Sequence, residues 1–260
     1  MSAKVRLFIY FVIAFLITCF NVYVINPEQI KLNTKMIQST SLPSEFDDYL
    51  IIYFSDLYYG NTDAKQVQKL IEICNELDPD CLIFGGDLLA DSENIDLESE
   101  ENLIKLLSQL HAKDYKLAVL GDNDTSEAIY ILESSGFNIL TNNDTYIYRN
   151  NQKIRFLGIN ENYEKEATDY FTIAFSHYGD NFNENNSYDL MLAGNSLGGQ
   201  LYYPFMNYLQ PLAGSTTYFK GTYQINNNPL TVSNGIGWKE KRLRFCADAD
   251  IIVYRLNKAD

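Results

Sequence analysis

The chain has 260 residues, enough for one large domain or two small ones once a short apolar N-terminus is set aside. Hydrophobic residues at 46% and charged residues at 21% predict a packed core and exclude a disordered chain. A net charge of −14 excludes nucleic acid as a partner and repels phosphate-bearing ligands unless a bound cation or a local basic patch offsets the field. Only 2 histidines limit any His-rich metal centre from the start.

The first element is Leu7 to Ile25, where only Thr18 and Asn21 are not apolar and nothing is charged. That length is close to the ~20 residues that cross a bilayer core as a helix. Lys4 and Arg6 precede the run, and the first acid after it is Glu28. Positive charge stays cytoplasmic, so the expected topology is a single-pass protein of the cell membrane, N-terminus inside and globular part extracytoplasmic. A cleaved signal peptide competes with this, but its apolar region is usually shorter, and no small-x-small cleavage site follows the run. A buried core helix is the third reading, and apolar residues on every face argue against it. The expected organisation is an anchor over residues 1–26, a stalk and lead-in strand over 27–48, and one domain over 49–260.

Within that domain, Tyr49–Ser55 reads as a buried strand. Residues 63–77 place Val67, Leu70, Ile71, Cys74 and Leu77 at helical spacing, with Asp63 as N-cap. Cys81–Phe84 is a second buried strand, Leu97–Leu110 a second helix, Leu117–Leu120 a third strand and Ser126–Ser134 a short third helix. Strands then crowd together: Tyr146–Tyr148, Ile154–Ile159, Phe171–Phe175, Leu190–Ala193, Thr216–Tyr223, Leu230–Val232 and Ile251–Leu256. Residues 180–186 read as a polar loop. Strand–helix alternation followed by serial strands predicts two sheets meeting in a sandwich flanked by helices. Cys74, Cys81 and Cys246 are an odd set outside the anchor, so at most one disulfide forms within the chain, and buried free thiols are the simpler reading.

Five of these strands end in loops that carry chemistry: Ser55-Asp56-Leu57-Tyr58, Gly85-Gly86-Asp87, Gly121-Asp122-Asn123-Asp124, Ser176-His177-Tyr178 and Gly194-Asn195-Ser196-Leu197-Gly198-Gly199-Gln200. Ligands of open α/β sheets bind at the carboxyl ends of strands. Each fragment alone is ordinary turn or cap chemistry; the ordered set is far more specific.

That set resembles the calcineurin-like metallophosphoesterases, and in particular their membrane-anchored bacterial branch. The family pattern runs D-x-H, G-D, G-N-H-D/E, H and G-H-x-H, continuing in this branch as G-G-Q. The tail, Val232 to Gly237 followed by Arg242-Leu243-Arg244-Phe245, is similar to the end of the same branch. The resemblance covers roughly residues 49–256 and implies an α+β fold: a four-layer α/β/β/α sandwich of two mixed sheets. It also implies a two-cation centre in which Asp87 bridges. Asp56, Tyr58 and Leu197 stand where the first metal has Asp, His and His. Asp122, His177 and Asn195 stand where the second has Asn, His and His. Asn123 occupies the place of the His that assists the leaving group.

Leucine cannot ligate a metal, and tyrosine ligates only as a phenolate, with an ordinary pKa near 10. The expectation is therefore a degenerate centre. At most one divalent cation, Mn²⁺, Mg²⁺ or Ca²⁺, sits on Asp87, Asp122, His177 and Asn195, an oxygen-rich set that suits hard ions. Asp56 and Asn123 remain as candidate catalytic residues. Two function classes stay open. One is a weak one-metal phosphoesterase acting on a lipid-linked or membrane-proximal phosphoester. The other is an inactive pseudoenzyme that binds through a groove lined by Tyr58, Tyr59, Tyr202, Tyr203 and Phe205. His111 matches no motif and reads as a surface residue near a helix C-terminus.

Overall fold

A computed structural model describes residues 2–91, 95–160, 168–182, 188–203, 207–208, 212–225 and 228–259. Phe205 and residues 183–186 of the expected polar loop lie outside the described residues. The chain opens with helix α1 (Ala3–Phe20), none of whose residues is buried. A short non-α turn leads into β1 (Ile30–Ser39). The segment expected as stalk and lead-in strand is mostly strand, in parallel register with β14 (Ala249–Lys258), from Ile30 opposite Ala249 to Ser39 opposite Lys258.

The first sheet has the order β1-β14-β2-β3-β4-β5, with β2 Tyr49–Phe54, β3 Cys81–Phe84, β4 Tyr115–Ala118 and β5 Asn138–Ile139. Three helices, α2 (Ala64–Glu76), α3 (Leu97–Leu107) and α4 (Ser126–Ser134), provide the crossovers between its parallel strands. The second sheet has the order β12-β13-β9-β8-β7-β6, with β6 Asn143–Arg149, β7 Gln152–Ile159, β8 Thr172–Ser176, β9 Leu190–Ala193, β12 Gly221–Ile225 and β13 Asn228–Val232. A two-stranded ribbon, β10 (Tyr202–Tyr203) with β11 (Asn207–Tyr208), stands apart. Both large sheets are mixed, as the resemblance implies.

Strand periodicity sorts the apolar side chains into layers, because successive residues face opposite sides. Leu50, Ile52 and Phe54 of β2 and Leu82 and Phe84 of β3 pack on Val67, Leu70, Ile71 and Cys74 of α2, Leu103 and Leu107 of α3, and Ile131 of α4. The alternate residues Tyr49, Ile51, Tyr53 and Ile83 turn inward against Ile154, Phe156, Ile173, Phe175, Leu190 and Leu192 of the second sheet. Outside that sheet, Leu157, Ala174, Met191 and Leu230 are covered, among the described residues, by loop and strand aromatics such as Phe182, Tyr218 and Tyr223. Cys74 and Cys81 fall on opposite faces of the first sheet, and Cys246 is exposed.

Two boundaries differ from the sequence reading for visible reasons. The strand expected from Thr216 begins only at Gly221. The Asp180 carboxylate accepts the backbone N–H groups of Thr216, Thr217 and Tyr218 at 2.7, 2.9 and 3.0 Å, which removes them from any ladder. The second helix stops at Leu107, where Ser108 caps it, and Leu110 returns to the core in the turn beyond. Asp63 accepts from Gln66 N and caps α2, and His111 is exposed.

Candidate metal centre

The loops after β2, β3, β4, β8, β9 and β13 meet at one end of the sandwich, where parallel strands present their carboxyl termini. Their approach leaves no room for side chains. A Cβ on Gly121 would lie 2.3 Å from Asp87 Oδ1 and 2.9 Å from His177 Cε1. Gly86 has φ +93° and abuts the Gly121 amide and the His177 ring, so only glycine fits both the backbone angle and the space. Six non-glycine residues of these loops also hold left-handed backbone: Asp56, Tyr58, Asp87, Asn195, Leu197 and Gln200, at φ between 46° and 68°. Such conformations cost about 1–3 kcal/mol each and persist where surrounding structure dictates them.

Asp56, Asp87 and His177 are buried together, with one potential ligand atom from each within 4.8 Å of the others. Asp56 Oδ2 accepts from Ser55 Oγ at 2.5 Å and from the Asn195 amide at 3.1 Å. Its other oxygen, Oδ1, is buried with no hydrogen-bond partner among the described residues. His177 Nδ1 lies 2.6 Å from the Gly85 carbonyl, so Nδ1 carries the proton and donates it. That fixes the ring and turns Nε2 toward the carboxylates. Nε2 is 3.6 Å from Asp87 Oδ2 and likewise has no hydrogen-bond partner among the described residues. Asp87 is the most heavily engaged. Its Oδ1 accepts the Asn123 amide at 3.0 Å; its Oδ2 accepts Asn123 Nδ2 at 2.9 Å and the Tyr58 hydroxyl.

These contacts set the charges. Burial pushes Asp56 up to about 6, and the nearby Asp87 charge adds to this. Burial works against ionised Asp87 too, yet the His177 imidazolium 3.6 Å away, with the hydrogen bonds from Tyr58 and Asn123, holds it well below the usual carboxylate range. Burial would lower His177, but its contacts with Asp87 and the charge of Asp56 push it up to about 10. Burial and the Asp56 and Asp87 charges drive Tyr58 far above its ordinary value, so it stays a phenol.

Two residues assigned to the site by motif position are directed elsewhere. Asp122 is exposed and accepts from the Tyr178 hydroxyl. Asn195 contributes its backbone amide to Asp56, while its side-chain nitrogen donates to the Ala213 carbonyl and Ser215 Oγ at 2.7 and 3.0 Å. Leu197 is buried beside Gly235, against the back of Asp56. Tyr202 and Tyr203 pair with Phe219 and Phe245, and Tyr59 packs against the helix-side core.

Asp124 has a larger part than its motif position suggests. Its carboxylate accepts the amides of Gly121, Asp87 and Leu88, each at 2.8 Å, and so staples the second loop to the third. Behind Asp56, buried Arg244 donates to the carbonyls of Asn234, Gly235, Gly237 and Ala247. This holds the 234–237 loop, whose Gly237 amide bonds the Asp56 carbonyl at 2.8 Å. An acid three residues after a glycine, or an arginine in a basic tail, carries no such message in sequence alone.

No protein-family model matches the chain. It is 26% identical over 255 residues to a curated Bacillus subtilis (strain 168) protein, the uncharacterized metallophosphoesterase YkuE, and the match covers 91% of this chain and 88% of that one. The similarity to that metallophosphoesterase runs over nearly the whole chain. A solved archaeal phosphodiesterase aligns with 72% of this chain and 84% of its own, at 13% identity and a TM-score of 0.38. A second solved structure aligns with 70% of this chain and 89% of its own, at 11% identity and a TM-score of 0.41. Among the described residues, Asp56, Asp87 and His177 form a group that could hold a metal ion.

Proposed function

We propose that this protein is a membrane-anchored phosphoester hydrolase that works with a single hard divalent cation, Mn²⁺, Mg²⁺ or Ca²⁺, held by Asp56, Asp87 and His177. The observation that carries this is the pair of orphaned buried atoms, Asp56 Oδ1 and His177 Nε2, beside the Asp87 carboxylate. Buried polar atoms without partners are costly, at about 1–3 kcal/mol each, and a cation satisfies both at once. When bound, such an ion would supply Lewis-acid stabilisation of phosphoryl charge and a bound water more acidic than bulk water.

The chain's own residues do the rest. Gly85 and Asn195 fix the orientation of His177 and Asp56 through backbone groups. Tyr58 and Asn123 hold Asp87 in place and keep it ionised. No side chain of the set is poised to protonate a leaving group, since Asn123 has no acidic proton and Tyr58 keeps its own. Phosphoesters with good leaving groups are the substrates this arrangement favours. Support for the anchor is the exposed, 18-residue α1, whose region reaches a mean hydropathy of 2.4 behind Lys4 and Arg6. A membrane-proximal or lipid-linked phosphoester is the corresponding substrate class.

A second reading, a binding module without turnover, is favoured by one feature. Tyr58 donates into Asp87 where a first-site imidazole would ligate, and buried Leu197 closes the other first-site position. Hydrolysis of an aryl phosphodiester with Mn²⁺, compared between wild type and Asp87→Asn, decides between the two. The enzyme reading predicts Mn²⁺-dependent turnover that the variant loses by about a hundredfold. Equal, metal-independent rates would leave the binding module.

A further inference from the structure

We infer that the turn Trp238–Leu243 docks on anionic phospholipid headgroups of the bilayer from which α1 emerges, which fixes the domain's orientation on that surface. The inference rests on the reading of α1 as a membrane span.

In a chain with 34 acids and 20 lysines and arginines, residues 238–244 read Trp-Lys-Glu-Lys-Arg-Leu-Arg, four cations against one acid. Arg244 is consumed by the carbonyls it clamps. Lys239, Lys241 and Arg242 are exposed, as is Glu240. This basic turn is bonded to the end of the apolar segment. The Arg244 amide donates to the Val22 carbonyl at 3.2 Å, and its carbonyl accepts from Asn26 Nδ2 at 3.0 Å. Arg242 also pairs with Glu28 at 2.6 Å. Val22 lies inside the uncharged run that ends at Ile25, so the turn sits level with the last residues a bilayer would hold.

The turn is also held from the domain side. Asn61 Nδ2 donates to the carbonyls of Trp238 and Lys239 at 3.1 and 2.6 Å, and Gln200 Nε2 donates to that of Lys241 at 2.7 Å. The lysine side chains are therefore presented on a fixed backbone. Opposite charge attracts over roughly 8 Å at physiological salt, so only groups held close to the helix exit feel the headgroups. The rest of the domain, strongly acidic, is repelled by the same surface, and the two forces together define one orientation. A 360 Å³ groove lined by Leu197, Leu201, Leu212 and Leu243, with Lys239 and Lys241 on its rim, opens beside the turn. Docking would place its mouth at headgroup level.

Trp238 is the single tryptophan and so reports the distance of the turn from the membrane. The full chain is placed in nanodiscs of phosphatidylcholine alone or with phosphatidylglycerol, each containing a dansyl-labelled lipid, and energy transfer from Trp238 is read. The expected result is at least twice the transfer in anionic discs at low salt. That excess should be abolished by high salt and by the Lys239→Glu/Lys241→Glu double variant, whose melting is checked to be unchanged. Transfer that is blind to lipid charge while the chain resists alkaline extraction would overturn the docking alone. Release of the chain at high pH would overturn the span and the docking together.

Discussion

The coupling between His177 and Asp87 makes a prediction about stability and pH that needs no substrate. In the metal-free protein His177 is pushed up to about 10 from an ordinary 6.5. The native state therefore holds a proton that the unfolded chain sheds. Stability from this pair is fully present below pH 6.5 and is lost as pH rises through about 10. Breaking one buried ion pair costs about 3–5 kcal/mol. In a domain of this size each kcal/mol moves Tm by roughly 2–4 °C. With chelator present, Tm should fall by about 10 °C between pH 6.5 and 10 in calorimetric scans. Asp87→Asn removes the charge that raises the imidazole pKa, so its Tm should begin lower and stay nearly level across that window. Mn²⁺ competes with the Nε2 proton, so saturating Mn²⁺ should flatten the wild-type curve. Asp56, raised to about 6, contributes in the same sense at lower pH, its share being lost as pH climbs from 3.8 through 6. A wild-type decline that Asp87→Asn reproduces unchanged would refute the reasoning.

Two other outcomes follow from the geometry. Tyr58→His combined with Leu197→His restores the two imidazoles missing from the first metal's set, and bound Mn²⁺ should rise from one to two per chain by elemental analysis, with aryl phosphodiester turnover up about tenfold, or ~1.4 kcal/mol; an unchanged stoichiometry counts against Asp87 as a potential bridge. Gly121→Ala places a methyl 2.3 Å from Asp87 Oδ1, and its overpacking should cost about 1–3 kcal/mol and remove the Mn²⁺-induced rise in Tm, whereas a melting curve and Mn²⁺ response like wild type would show that the loops are looser than drawn.

Much of the fold is legible in the sequence because burial on both sides writes continuous apolar runs, as in β2 and β3, and amphipathic spacing writes α2. The edge strand β1 is harder to read. Its residues, Ile-Lys-Leu-Asn-Thr-Lys, alternate too weakly to separate strand from stalk, and its partner is more than two hundred residues away. The glycines and aspartates of the five loops announce where chemistry gathers. What they cannot announce is direction. Asp122 and Asp124 differ by two positions in one loop, yet one faces Tyr178 in the open while the other secures three buried amides. Likewise Asp56 and His177, matched to different metals by motif position, meet around one point because the two sheets bring β2 and β8 together above the shared core.

The pairing of β1 with β14 bears on how the chain comes to be folded at all. β14 lies between β1 and β2, so the middle of that sheet stays open until residues 249–258 have been synthesised. Until then the chain holds two strand edges unsatisfied. Contacts so distant in sequence form slowly, and exposed edges in the interval are where chains aggregate. Deleting β14 should therefore abolish assembly of the sheet and yield a protease-sensitive chain.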